Sequence, residues 1–319
     1  MARPKSFYEV LGAAIKDVSE HGFDSQKRIN DWMKALKDAA EAMMQSQRTM
    51  ERMLRDALAA IYKRLIDNGQ IAKLHPGVAK FTIQKLKPSL RAELDRRIMA
   101  SADLIKLNRE EAIQKTLRRF AGWSTSIPKG GSDTVNRKKE NETFRKSLAS
   151  LPFIERRVII DQGHKLTASI SEIIANDQGA IAGIWHSHWR EANYNYREDH
   201  KERDGLIYLM RDSWALKAGL VKAGGAGYYD KITAAGVEPF CRCYMQWIYN
   251  LRDLPRDMLT EKGREKLREV RAEIKERADD ADFKESEHPR AKGGEKGGQG
   301  VASKSPIEVS RARPQGTGG

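Results

Sequence analysis

Cysteine is nearly absent: 319 residues carry two, Cys241 and Cys243. One residue separates them, so a bridge between them would close a strained ring, and a disulfide framework is excluded. The chain reads as the product of a reducing compartment. No stretch approaches the roughly 20 consecutive apolar residues that span a bilayer, so no membrane association is expected. The opening MARPKSFYEV has no apolar core, and no cleaved export signal is expected. The nucleotide and hydrolase fingerprints are missing too. The glycines in Ala223-Gly224-Gly225-Ala226-Gly227 are not followed by Lys-Ser or Lys-Thr, and there is no Gly-x-Ser-x-Gly elbow. Aromatic residues make up only 7% and mean hydropathy is −0.67, which predicts modest cores and much exposed helix.

What the chain has in surplus is positive charge. Lys and Arg number 58 against 44 acidic residues, giving a formal charge of +14 and a pI near 9.6. Such a surplus suits an anionic neighbour, nucleic acid most often, held by counterion release without sequence readout. Residues 278–319 balance seven basic against seven acidic side chains, so the whole surplus sits in residues 1–277.

The organisation predicted is α+β and predominantly α. Residues 1–123 form a helical N-terminal region, with apolar residues at helical spacing from Trp32 and Leu36 to Leu58, Ile61 and Leu65. Neither Pro nor Gly interrupts Ser25 to Asp67, which predicts one long helix and a coiled-coil-like arm. Another helical pattern covers 89–121, where Arg96, Arg97, Lys106, Lys115, Arg118 and Arg119 flank the apolar face. The Ser, Pro and Gly of 124–139 predict a linker. A compact, aromatic-rich α+β domain is expected at 140–255, opening on a helix over 153–177 and holding a short strand through Cys243–Tyr249. Residues 185–250 contain four of the six tryptophans, seven of the nine tyrosines and both cysteines. A charged helical segment at 256–277, with its helix starting at about Thr260, and a disordered, glycine-rich tail at 278–319 complete the expectation.

Three segments stand out together: the helix Arg156 to His164; Trp185 followed by Arg197-Glu198-Asp199-His200 and Asp204-Gly205; and Pro239-Phe240-Cys241-Arg242-Cys243. Each alone has a plain explanation, as a surface pair, a turn or a buried thiol. In this order, over about residues 150–250, they resemble the Mu F-like head-morphogenesis (minor capsid) family of tailed bacteriophages. The resemblance rests on Trp185, Arg197, His200, Gly205, Pro239, Cys241, Arg242 and Cys243. It departs at Phe240, where that family often has Asn, and at Ile160-Asp161-Gln162-Gly163, where Ala-Arg-Thr-Glu is common. The resemblance implies a structural, non-catalytic component of the virion head, in the head interior or near the portal. Its partners would be portal or major capsid protein, with packaged DNA contacted by non-specific electrostatics. Assembly would take place in the host cytoplasm.

The shared residues read physically as a small polar core, with Arg197 as a five-donor fork for loop carbonyls and His200 joining the Gly205 turn to the cysteine strand. No cofactor is required by this reading. A zinc site of Cys241, Cys243, His200 and His188 is the alternative use of the same side chains, although Cys-x-Cys is tighter than the usual spacing. Two rival functions remain: a non-specific DNA-binding protein, and a metal-dependent nuclease built on His186, His188, Asp199, His200 and Asp204.

Overall fold

The computed structural model describes residues 6–287 apart from 45 and 193, with side chains as far as Arg277. It is predominantly helical, with one small sheet, so the α+β class is correct. Capping residues set many of the boundaries. Ser6 and Glu9 form a reciprocal capping box at the start of α1 (Phe7–His21). Ser25 caps α2 (Gln26–Met43) and Ser46 caps α3 (Gln47–Tyr62). A π turn, Lys63–Asp67, and a 3₁₀ turn, Gln70–Leu74, lead to α4 (Lys80–Lys85). Pro88 and Pro152 sit in the first turns of α5 (Lys87–Ser126) and α7 (Leu151–Asp177), where a missing N–H costs nothing. Between them lies α6 (Arg137–Ala149), capped by Asn136.

Two expectations fail in this half. The helix from Ser25 to Asp67 is not continuous: Met44 is extended, and the Ser46 hydroxyl accepts from Thr49 N to start α3 afresh. Nor is it an arm. Leu36 and Ala40 of α2 share a core with Phe7, Leu11 and Ile15 of α1, Ile113, Leu117 and Phe120 of α5, and Phe144 of α6. The N-terminal half of α5 builds a second core, joining Leu90, Leu94 and Ile98 to Leu58 of α3 and to Leu166, Ile170 and Ile174 of α7.

The predicted linker is also tied down. Phe23 N donates to Ile127 O at 3.0 Å, Gly130 N to His21 O at 2.9 Å, and Ser132 N to Ser19 O at 2.9 Å. Gly131 has φ 85°, and a Cβ there would lie 2.4 Å from Ser19 O, so only glycine fits. The helical region and the aromatic domain consequently belong to one compact unit that extends to Arg268. The composition of 124–139 signalled a turn but not its anchorage.

The sheet follows α7. Strands β1 (Ala182–His186), β2 (Ile207–Leu209) and β3 (Tyr244–Ile248) lie in the order β2-β1-β3, antiparallel throughout. His186 stands opposite Tyr244, and Ala182 opposite Ile248. The short helices α8 (Glu198–Glu202) and α9 (Trp214–Lys217) lie in the connections. Both faces are covered. Trp185, Tyr208, Met245 and Trp247 pack with Ala175 of α7 and with both cysteines, while Ile181, Leu209 and Ile248 pack with Val221, Leu254 and Leu259. Burial on both sides accounts for an apolar run at 180–185 that lacks simple alternation.

The last helix, α10 (Glu261–Glu287), starts one residue after the expected Thr260 and ends ten residues beyond 277. Ahead of it lie a 3₁₀ turn, Arg256–Met258, and extended Leu259. A second unit begins at Glu269, and its described residues are the remainder of α10. The rest of the predicted disordered tail, 288–319, lies outside the described residues.

Candidate functional site

The site is assembled from the start of β3, helix α8 and the turn that precedes each. The cysteine turn is held by its backbone. Phe240 has φ 60°, the sole left-handed non-glycine among the described residues. Its N–H donates to Oδ1 of Asp161 on α7, and its exposed ring lies under the Arg157 guanidinium, 4.1 Å from the centroid. This kink turns the chain so that Cys241 and Cys243, both buried, face inward on either side of Arg242.

Buried His200, from α8, meets them. Its Nδ1 is 3.5 Å from Cys241 Sγ and 3.6 Å from Cys243 Sγ. Its ring stands edge-on to Trp185 of β1 at 5.3 Å. The other nitrogen, Nε2, has no hydrogen-bond partner, though Glu238 Oε1 lies 3.7 Å away. Glu238 is itself held by Arg197, whose Nε is 2.9 Å from Oε2 and whose Nη2 donates to Pro239 O at 3.0 Å. The Cys243 thiol donates to Ser187 Oγ at 3.8 Å. The interaction of one thiol with the other holds Cys241 below the ordinary thiol value and Cys243 above it.

The predicted motif residues therefore converge, with some changes of role. Arg197 binds one carbonyl and one carboxylate in place of several carbonyls. Gly205, at φ 79°, is joined to Trp185 through its N–H, 2.8 Å from Trp185 O, and not to His200. Arg242 points away from the thiols, 5.1 Å over the Tyr194 ring and 3.5 Å from Glu191. His188 does not join the proposed ligand set: its Nδ1 contacts Glu191 at 3.1 Å, and among the described residues the metal-competent group comprises His200, Cys241 and Cys243. The cause is that β1 ends at His186, so His188 lies beyond the strand and leaves its face.

Among the described residues, those considered for nuclease chemistry form no metal-competent cluster of their own, although Asp199 Oδ2 lies 3.8 Å from His200 Nε2 and His186 and His188 line one cavity. His186 stacks on Tyr244 at 4.9 Å. Asp199 pairs with Arg203 at 2.9 Å. Asp204 accepts from Ser187 N and from Trp189 Nε1, bonds that hold its carboxyl below the usual range. Of the basic residues flagged on α5, Arg96 and Arg97 both bind buried Glu93, while Lys106, Lys115, Arg118 and Arg119 are exposed.

Sequence reasoning missed Glu238, Ser171 and His75. Buried His75 lies between Tyr249 Oη, 2.6 Å from Nδ1, and Ser171 Oγ, 3.2 Å from Nε2; that hydroxyl also accepts from Trp247 Nε1 at 2.9 Å. Only the His-Pro-Gly break around His75 marked that stretch at all. Beside this network is a cavity of about 530 Å³ lined by His164, His186, His188, Cys243 and Tyr244 among others. No protein-family model, curated protein or solved structure significantly matches the chain.

Proposed function

We propose that this chain is a minor structural protein of a tailed-phage head, acting in head assembly near the portal or the packaged DNA. The observation that carries the reading is the convergence of its motif. Trp185, Arg197, His200, Pro239, Cys241 and Cys243, spread over some sixty residues, meet in one knot, with Trp185, His200, Cys241 and Cys243 buried at its centre and Arg197 and exposed Pro239 closing its outer side. The segments that carry the resemblance are thus parts of a single structural object.

The two departures from the resembled family meet at one turn. Phe240 stands where Asn is common, and its left-handed backbone is one that Asn enters readily. Asp161, in the divergent helix segment, accepts the hydrogen bond from that same residue.

In this role the exposed cations of α5 screen DNA phosphates, while the aromatic domain docks on portal or capsid protein. Mass spectrometry of purified heads and procapsids from the phage that encodes the chain tests the proposal. The chain is expected in both particles at low copy number. Its absence from both would overturn the reading and leave the DNA-binding and nuclease alternatives to be assayed on the isolated protein.

A further inference from the structure

We propose that His200, Cys241 and Cys243 bind a zinc ion through Nδ1 and two thiolates, with a water molecule as fourth ligand. The geometry is that of a tetrahedron lacking its centre. Zinc–sulfur bonds of about 2.3 Å and zinc–nitrogen bonds of about 2.0 Å at the tetrahedral angle place N and S about 3.5 Å apart. The two separations in the protein are 3.5 and 3.6 Å, and all three ligand atoms lie within 4.8 Å of one another.

Charge and outer contacts favour the same ion. All three side chains are buried, so a bare cation would be expensive there. Two thiolates neutralise Zn²⁺, and binding releases two thiol protons to solvent. With Nδ1 on the metal, the imidazole proton sits on Nε2, the buried atom that otherwise has no partner. It then points toward Glu238, which Arg197 fixes in place; a carboxylate behind a ligating histidine is the usual arrangement. Among the described residues no fourth His, Cys, Asp or Glu joins the group, and Cys243 lines the adjoining cavity, from which water reaches the fourth position. The ion would clamp α8 to the start of β3 and hold the strained turn at Phe240.

The test uses the full chain and is independent of any role in phage heads. Elemental analysis of the purified protein is expected to give about one zinc per chain, falling at least tenfold in Cys241→Ser and His200→Phe. Should those variants fail to fold, the unmodified protein still decides. After chelation, titration with Co²⁺ is expected to produce thiolate-to-cobalt charge-transfer absorption saturating near one equivalent. Purified protein without zinc whose chelated form also shows no such absorption overturns the site. So does full zinc retention in folded Cys241→Ser.

Discussion

At the scale of single residues, Phe240 shows how local strain serves a distant contact. A bulky side chain in the left-handed region costs about 1–3 kcal/mol, and the surrounding hydrogen bonds must outweigh it. The half-exposed ring recovers about 0.5–1 kcal/mol by stacking with Arg157. The strain is the larger quantity. Phe240→Asn is therefore expected to raise stability by about 1 kcal/mol, read as a higher denaturant midpoint at unchanged slope. A loss equal to that of Phe240→Ala would show that the ring contact dominates. The convergence of His200 with Cys241 and Cys243 was legible in the sequence because chemistry-bearing residues are scarce there and their order is distinctive. The role of Glu238 was not legible, since one acidic residue among 44 carries no mark of what it will face.

At the scale of elements, the sequence showed the helices with regular apolar spacing, α7 among them, and the strand after the cysteines. It concealed the break at Met44 to Ser46, where no Pro or Gly interrupts the pattern and a capping serine does the work. It also concealed the clamp of 124–139 on α1, because hydrogen bonds between segments a hundred residues apart leave no local periodicity. The same holds for His75, which pins the turn before α4 to α7 and to Tyr249, the residue after β3. Burial pushes this imidazole down to about 4 from an ordinary 6.5. The folded protein then keeps it neutral where the unfolded chain takes up a proton. Stability contributed by the pin is complete above the ordinary value and declines as pH falls toward 4. The loss reaches about 3 kcal/mol by linkage. His75→Gln is expected to flatten the fall in melting temperature between pH 6.5 and 4. An unchanged slope would assign the acid sensitivity elsewhere.

At the scale of the whole molecule, the formal +14 is not a uniform coating. Arg96 and Arg97 are committed to Glu93, whereas Lys115, Arg118 and Arg119 form an exposed patch toward the far end of α5. If that patch meets DNA, reversing the three charges should weaken binding and make log affinity against log salt shallower by about 2 to 3. A slope unchanged by the triple reversal would move the DNA contact off α5. The strand order has a consequence for biosynthesis. The central strand β1 is made first and is completed on one side only when β3 emerges, after both α8 and α9 have been translated. Until then a nascent chain with its helices already paired exposes an unpaired edge and the indole of Trp185, so the last strand is also the one that closes the protein against aggregation.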